Sequence, residues 1–120
     1  MPRQSKVVEG EIIVLRDRKG TPRIMMDAIN PGGPVVQLLG DGKSTVELRA
    51  FPNKGGVALT LAAGRRHVVV RLHDAGGSFI RLTDGDGRHS VTIEAPPKSG
   101  RGAVLIWRGG KVIASLAKKG

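Results

Sequence analysis

The chain has 120 residues and a net charge of +10, and 39% of its residues are hydrophobic but only 2% aromatic. This length suits one domain whose core must be built from valine, isoleucine and leucine, and the β-branched residues among these favour strands. Eighteen glycines and seven prolines interrupt every candidate helix, no cysteine is present for a disulfide or thiolate metal site, and no run is long and apolar enough for a signal peptide or membrane span. We therefore expect a soluble all-β protein in the cytoplasm.

The predicted strands occur in pairs, and each pair surrounds a glycine-containing turn. The turn glycines are Gly20, Gly42, Gly64, Gly87 and Gly110. The strand before each turn has two apolar residues at alternate positions: Ile13/Leu15, Val36/Leu38, Leu59/Leu61, Ile80/Leu82 and Val104/Ile106. The strand after each turn has a matching pair: Ile24/Met26, Val46/Leu48, Val68/Val70, Val91/Ile93 and Ala114/Leu116. This pattern predicts β-hairpins that each have one buried face.

Glycine pairs and prolines separate one hairpin from the next. The pairs are Gly32-Gly33, Gly55-Gly56 and Gly76-Gly77. Repeats of about 21–24 residues predict five tandem hairpins with about ten strands in residues 11–117. Residues 1–10 form a lead-in and residues 118–120 a basic tail. Three arrangements remain open: a closed barrel or sandwich, an open hairpin stack, or a prism-like subunit completed by copies of itself.

The positions between the alternating apolar residues should point to the opposite face of each hairpin. In the middle repeats they are mostly polar, as in Gln37, Glu47 and Thr60, which is typical of a solvated face. In the first and last repeats both faces are apolar, so these ends should pack against each other within one chain or against another subunit. We expect self-association through six residues: Ile12, Val14, Met25, Leu105, Trp107 and Ile113.

Motifs for catalysis or metal binding are incomplete. The three histidines lie in different repeats, without carboxylates at ligand spacing. The stretch at residues 84–87 lacks the later ligands of a calcium loop, and the stretch at residues 40–45 lacks the first glycine and the helix of a phosphate loop. The sequence therefore predicts no catalytic residue, no metal ligand, no cofactor and no small-molecule substrate, so we do not expect an enzyme.

The positive charge is concentrated at the C-terminal end. Residues 95–120 contain no acidic residue, and Trp107 beside Arg108 is the one aromatic placed to stack on a base. Such a surface is typical of proteins that bind nucleic acid or another polyanion, although excess charge also serves solubility alone. The candidate polyanion-binding residues are Lys98, Arg101, Arg108, Lys111, Lys118 and Lys119.

Two segments share the pattern L-x-D-x-x-G followed by an apolar pair: Leu15 to Gly20 and Leu82 to Gly87. This pattern resembles the tandem hairpin repeats of bacterial surface and fibre-like proteins, and more loosely the YD repeats of RHS proteins. The resemblance implies a structural, assembly-forming role and carries over no catalytic residue. We therefore expect a non-enzymatic repeat protein that self-assembles into a homo-oligomer, filament or shell-like array. The alternative is a basic β-rich module that binds nucleic acid or another polyanion.

Overall fold

A computed structural model describes residues 9–74, 76–95 and 102–117, and these residues form strands joined by turns and loops. In this part of the chain no helix is present, and hence none long and apolar enough to cross a membrane. The all-β prediction is confirmed. The strands are β1 (Ile12–Arg16), β2 (Pro22–Asp27), β3 (Val35–Leu39), β4 (Ser44–Ala50), β5 (Val57–Ala63), β6 (Arg66–Leu72), β7 (Ser78–Thr83), β8 (His89–Ala95), β9 (Ala103–Arg108) and β10 (Lys111–Ala117).

The ten strands form one antiparallel sheet in which each strand pairs with its neighbours in sequence. The order from β1 to β10 gives five successive hairpins, as predicted. All five predicted turn glycines have positive φ, between 63° at Gly64 and 83° at Gly20. Because residues with a Cβ are strained in this left-handed region, glycine is the residue that the turn geometry requires.

The strand register confirms the predicted apolar pattern. Each alternating pair lies opposite the pair of the next strand, so the same side of the sheet carries two continuous apolar rows. We call this side of the sheet the aliphatic face. One row contains Ile13, Met26, Val36, Leu48, Leu59, Val70, Ile80, Ile93, Val104 and Leu116. The other row contains Leu15, Ile24, Leu38, Val46, Leu61, Val68, Leu82, Val91, Ile106 and Ala114.

The sheet is open. β1 and β10 do not pair with each other, and every contact between strands of the described residues joins consecutive strands. The sheet therefore neither closes into a barrel nor folds back into two layers within one chain. The molecule measures 63 × 33 × 31 Å with a radius of gyration of 18.6 Å, whereas a compact domain of this length has a radius of about 14 Å.

The burial of side chains differs from the sequence-based expectation. The aliphatic face, expected to be buried, is largely exposed. The buried side chains among the described residues are those of Val35 and Thr92 on the opposite side, which we call the second face. Among the residues that the structure describes, which form a single layer, no element covers the aliphatic face. On the second face, Thr92 lies in register between the longer side chains of Arg81 and Leu105, which explains how so short a residue is buried.

Candidate interaction surfaces

The aliphatic face is the largest uncovered apolar surface of the described chain. Leu48 is 52% exposed at the middle of the sheet, and Leu116 is 76% exposed at its end. Of the seventeen exposed large hydrophobic residues in the described ranges, twelve lie on this face and the other five belong to the first and last hairpins or follow β2. The twelve are Leu15, Met26, Leu38, Leu48, Val57, Leu61, Leu72, Ile80, Leu82, Ile93, Ile106 and Leu116.

The shape and charge of the aliphatic face suit contact with another apolar surface. Its basic strand residues lie at the strand ends next to the hairpin turns, as Arg66, Arg108 and Lys111 do. Two grooves run along it, of 480 Å³ beside Leu48 and Leu59 and of 660 Å³ beside Val46, Leu61 and Val68. Ridges and grooves of aliphatic side chains are what a second sheet interdigitates with in a β-sandwich.

The second face satisfies many of its own polar groups. Gln37 Nε2 donates to Glu47 Oε2 at 3.0 Å, and Arg49 Nε donates to Glu47 Oε1 at 3.0 Å. The hydrogen bond from Gln37 and then that from Arg49 hold the pKa of Glu47 below its ordinary value. The guanidinium of Arg71 stacks 4.0 Å from the ring centre of Phe51. On the same face, Arg71 Nε, Thr92 Oγ1 and Trp107 Nε1 are shielded from solvent and have no hydrogen-bond partner among the described residues.

The residues predicted for self-association lie at the two ends of the sheet and are not brought together within one chain. Ile12, Val14 and Ile113 are exposed, and the other three are partly buried. Within one molecule β1 and β10 are the opposite edges, so a contact between the two groups needs a second copy. Ile12, Val14 and Met25 belong to β1 and β2, and Leu105, Trp107 and Ile113 to β9 and β10.

All five hairpin turns lie along one long edge of the sheet, which we call the turn edge. Arg23 forms ion pairs of 2.8 Å with Asp17 and with Asp41, and the hydrogen bond from Arg23 lowers the pKa of Asp17. His89 Nδ1 lies 2.8 Å from Asp84, and this hydrogen bond lowers the pKa of Asp84. The turn edge has more basic than acidic residues. Its acidic residues are Asp17, Asp41, Asp84 and Asp86. Besides Arg23, its basic residues are Arg16, Arg18, Lys19, Lys43, Arg65, Arg66, Arg88, Arg108 and Lys111.

The structure describes two of the six residues predicted for polyanion binding. Arg108 and Lys111 are register partners at the β9–β10 turn, on the turn edge. Sequence analysis missed the basic turn residues of the earlier repeats, such as Arg65 and Arg66. The sequence pattern was sufficient to find these residues, because consecutive hairpins in one antiparallel sheet have all their turns at the same edge. The other four predicted residues, Lys98, Arg101, Lys118 and Lys119, lie outside the described residues.

In the described ranges, no three histidine, aspartate or glutamate side chains are grouped closely enough to hold a metal ion. His89 pairs with Asp84 in a turn, and the ring of His73 lies 6.5 Å from that of Phe79. Comparison of the chain with protein-family models, with curated proteins and with solved structures found no match.

Proposed function

We propose that this protein is a structural repeat protein that self-assembles by packing the aliphatic face of one copy against the aliphatic face of another. The observation that carries the proposal is the exposure of two apolar rows across all ten strands. Monomeric soluble proteins rarely expose an apolar patch of more than a few hundred Å². A second sheet about 10 Å away would cover the apolar rows that the described residues of one chain leave exposed.

The surface area of the chain supports this pairing. The chain exposes 9492 Å², about 3,000 Å² more than the ~6,200 Å² expected for a compact monomer of 12.7 kDa. If a second copy covers one of the two sheet faces, each copy loses about half of this excess accessible surface area. The total of about 3,000 Å² for two copies falls in the 2,000–5,000 Å² range of obligate dimers.

The sheet edges favour contact through the face rather than through edge-to-edge strand pairing. The β1–β2 register shifts between Leu15 and Arg16, and the β9–β10 register shifts between Val112 and Ala114. Bulges and basic residues such as Lys111 on an outer strand hinder the addition of another strand. The aliphatic face has no comparable obstacle in its two rows.

A charge on each face of strand β4 tests the proposal. Leu48→Glu should weaken self-association at least about 100-fold, because an unpaired carboxylate in an apolar interface costs several kcal/mol. Thr45→Glu is the matched control, since Thr45 is also exposed on β4 but lies on the second face. The measurement is mass by sedimentation across a range of protein concentrations. A wild-type protein that stays monomeric, or equal dissociation of both variants, would contradict the proposal.

We propose polyanion binding by the turn edge as a second function. The observation in its favour is the excess of positive charge along this edge, which has nine basic residues besides Arg23 and only four acidic residues. Three of the four acidic residues are already paired with Arg23 or His89. Basic side chains from successive hairpins form an extended strip, which suits a linear chain of phosphates. Packing through the aliphatic face leaves this edge open to solvent.

Salt dependence tests this second function. If the turn edge contacts phosphates, the logarithm of the affinity for duplex DNA should fall with the logarithm of salt concentration, by about 0.9 per phosphate neutralised. The combined change Arg65→Gln, Arg66→Gln and Lys111→Gln should flatten that slope. Lys54→Gln, at the opposite edge of the sheet, should leave it unchanged. Absence of binding at ~50 mM salt would remove the function, because the electrostatic attraction is then strong.

A further inference from the structure

A separate polar pocket opens on the second face, near the β7–β8 and β9–β10 turns. It has a volume of 330 Å³, and its lining includes Arg81, Thr83, Arg88, Ser90 and Trp107. Side chains that carry two guanidinium groups, two hydroxyl groups and an indole thus line one small space. Every one of these groups is a hydrogen-bond donor, and the two guanidinium groups carry positive charge.

Strand register explains how these donors meet. Thr83 lies opposite Ser90, and Ser90 lies opposite Trp107, so the three residues form one row across β7, β8 and β9. Arg81 is two residues before Thr83 and therefore on the same face of β7. Arg88 is in the turn that leads into β8. The pocket is thus built on three paired strands rather than on one loop.

The charge in the pocket is not balanced by the acids nearest to it. Asp84 is engaged by His89 at 2.8 Å, and Asp86 is exposed in the turn and does not line the pocket. Arg81 stacks on Phe79 with 5.0 Å between its guanidinium carbon and the ring centre. Among the described residues neither Arg81 nor Arg88 forms an ion pair.

Trp107 provides an independent indication of a ligand. Its Nε1 is shielded from solvent and has no hydrogen-bond partner among the described residues. A buried N–H group without an acceptor costs free energy, and unsatisfied groups of this kind often mark functional sites. An anion with several oxygen atoms would supply acceptors to the neighbouring arginine and hydroxyl donors, and the indole N–H reaches that anion only if the Trp107 side chain moves.

We propose that this pocket binds a phosphate group, either as free phosphate or as a phosphate monoester. A phosphate presents oxygens in a tetrahedral arrangement, which suits several donor-bearing side chains around one pocket, whereas a carboxylate presents two oxygens in one plane. Guanidinium groups bind phosphate through paired, charge-assisted hydrogen bonds. The volume is at the lower end of small-ligand pockets, so it admits the phosphate and a small part of the molecule that carries it. This site is independent of the aliphatic face and does not rest on self-assembly.

Fluorescence of Trp107 tests the proposal directly, because it is the single tryptophan of the chain. Titration with inorganic phosphate should give a saturable change that sodium chloride at the same ionic strength does not give. Arg88→Gln and Ser90→Ala should each weaken phosphate binding about tenfold or more, as the loss of a charge-assisted or neutral hydrogen bond to the anion predicts. Lys54→Gln, at the opposite edge of the sheet, should bind as the wild type does.

A parallel titration with a nucleoside 5′-monophosphate distinguishes the two sources of the phosphate. Tighter binding than inorganic phosphate assigns the site to a monoester, and equal or weaker binding assigns it to free phosphate. Circular dichroism of each variant confirms that the sheet is intact, and Arg81→Gln provides a second test if Arg88→Gln does not fold. The proposal is overturned if phosphate gives no saturable signal, or if the signal survives the loss of both arginines.

Discussion

At the scale of single residues, two glycines before the strands β3 and β5 explain why glycine pairs recur at the joints between hairpins. Gly33 has a φ of 102°, and a Cβ there would lie 1.8 Å from the carbonyl oxygen of Ala50. Gly56 has a φ of 79°, and its Cβ would lie 1.8 Å from the carbonyl oxygen of Leu72. In both cases the entry to a hairpin passes directly over the backbone at the exit of the same hairpin, which only glycine permits.

Substitution of Gly33 should therefore destabilise the sheet more than substitution of a turn glycine. Gly33→Ala should lower the free energy of unfolding by about 3 kcal/mol or more, because positive φ and a backbone clash add together. Gly42→Ala is the matched control, with a φ of 65° but no atom within 4 Å of the added Cβ, and should cost about 1–2 kcal/mol. Urea unfolding at one fixed protein concentration measures both. Equal losses would mean that the close approach at Gly33 relaxes without cost.

At the scale of the elements, each hairpin could be predicted from sequence because its information is local. A glycine turn together with apolar residues at alternate positions determines the strand pairing and the side of the sheet for each residue. The predicted row of the second face, from Val14 through Gln37 and Thr92 to Ser115, occurs in register across the sheet. Contacts between consecutive strands follow from the same local pattern.

Burial could not be predicted in this way, because it depends on how the hairpins are arranged. The pattern at Leu38 and Leu61 shows which face is apolar but not whether another layer covers it. Thr92 has the sequence features of an exposed strand residue, and its burial arises from its neighbours on two other strands. The pocket at Ser90 and Trp107 likewise combines three strands that are distant in sequence. Local periodicity contains no information on such combinations.

At the scale of the whole molecule, an open sheet 63 Å long can associate in two geometrically different ways. Packing of two aliphatic faces adds thickness and leaves the length nearly unchanged. Packing of the end hairpins, through residues such as Ile12 and Ile113, places copies in a line and doubles the length. A heterologous contact of this second kind also continues without limit into a filament.

Small-angle X-ray scattering of the associated protein should therefore separate the two modes. We expect a maximum dimension close to that of one chain for a face-to-face dimer, against about 120 Å or more for two copies joined end to end. Ile113→Glu places a charge on the exposed end of the sheet and should leave both mass and length unchanged if the aliphatic faces carry the contact. Leu48→Glu should instead reduce the mass to that of one chain, because it lies in the middle of the aliphatic face. A long particle that Ile113→Glu dissociates and Leu48→Glu does not would assign assembly to the ends of the sheet, and the aliphatic face would then need a different partner.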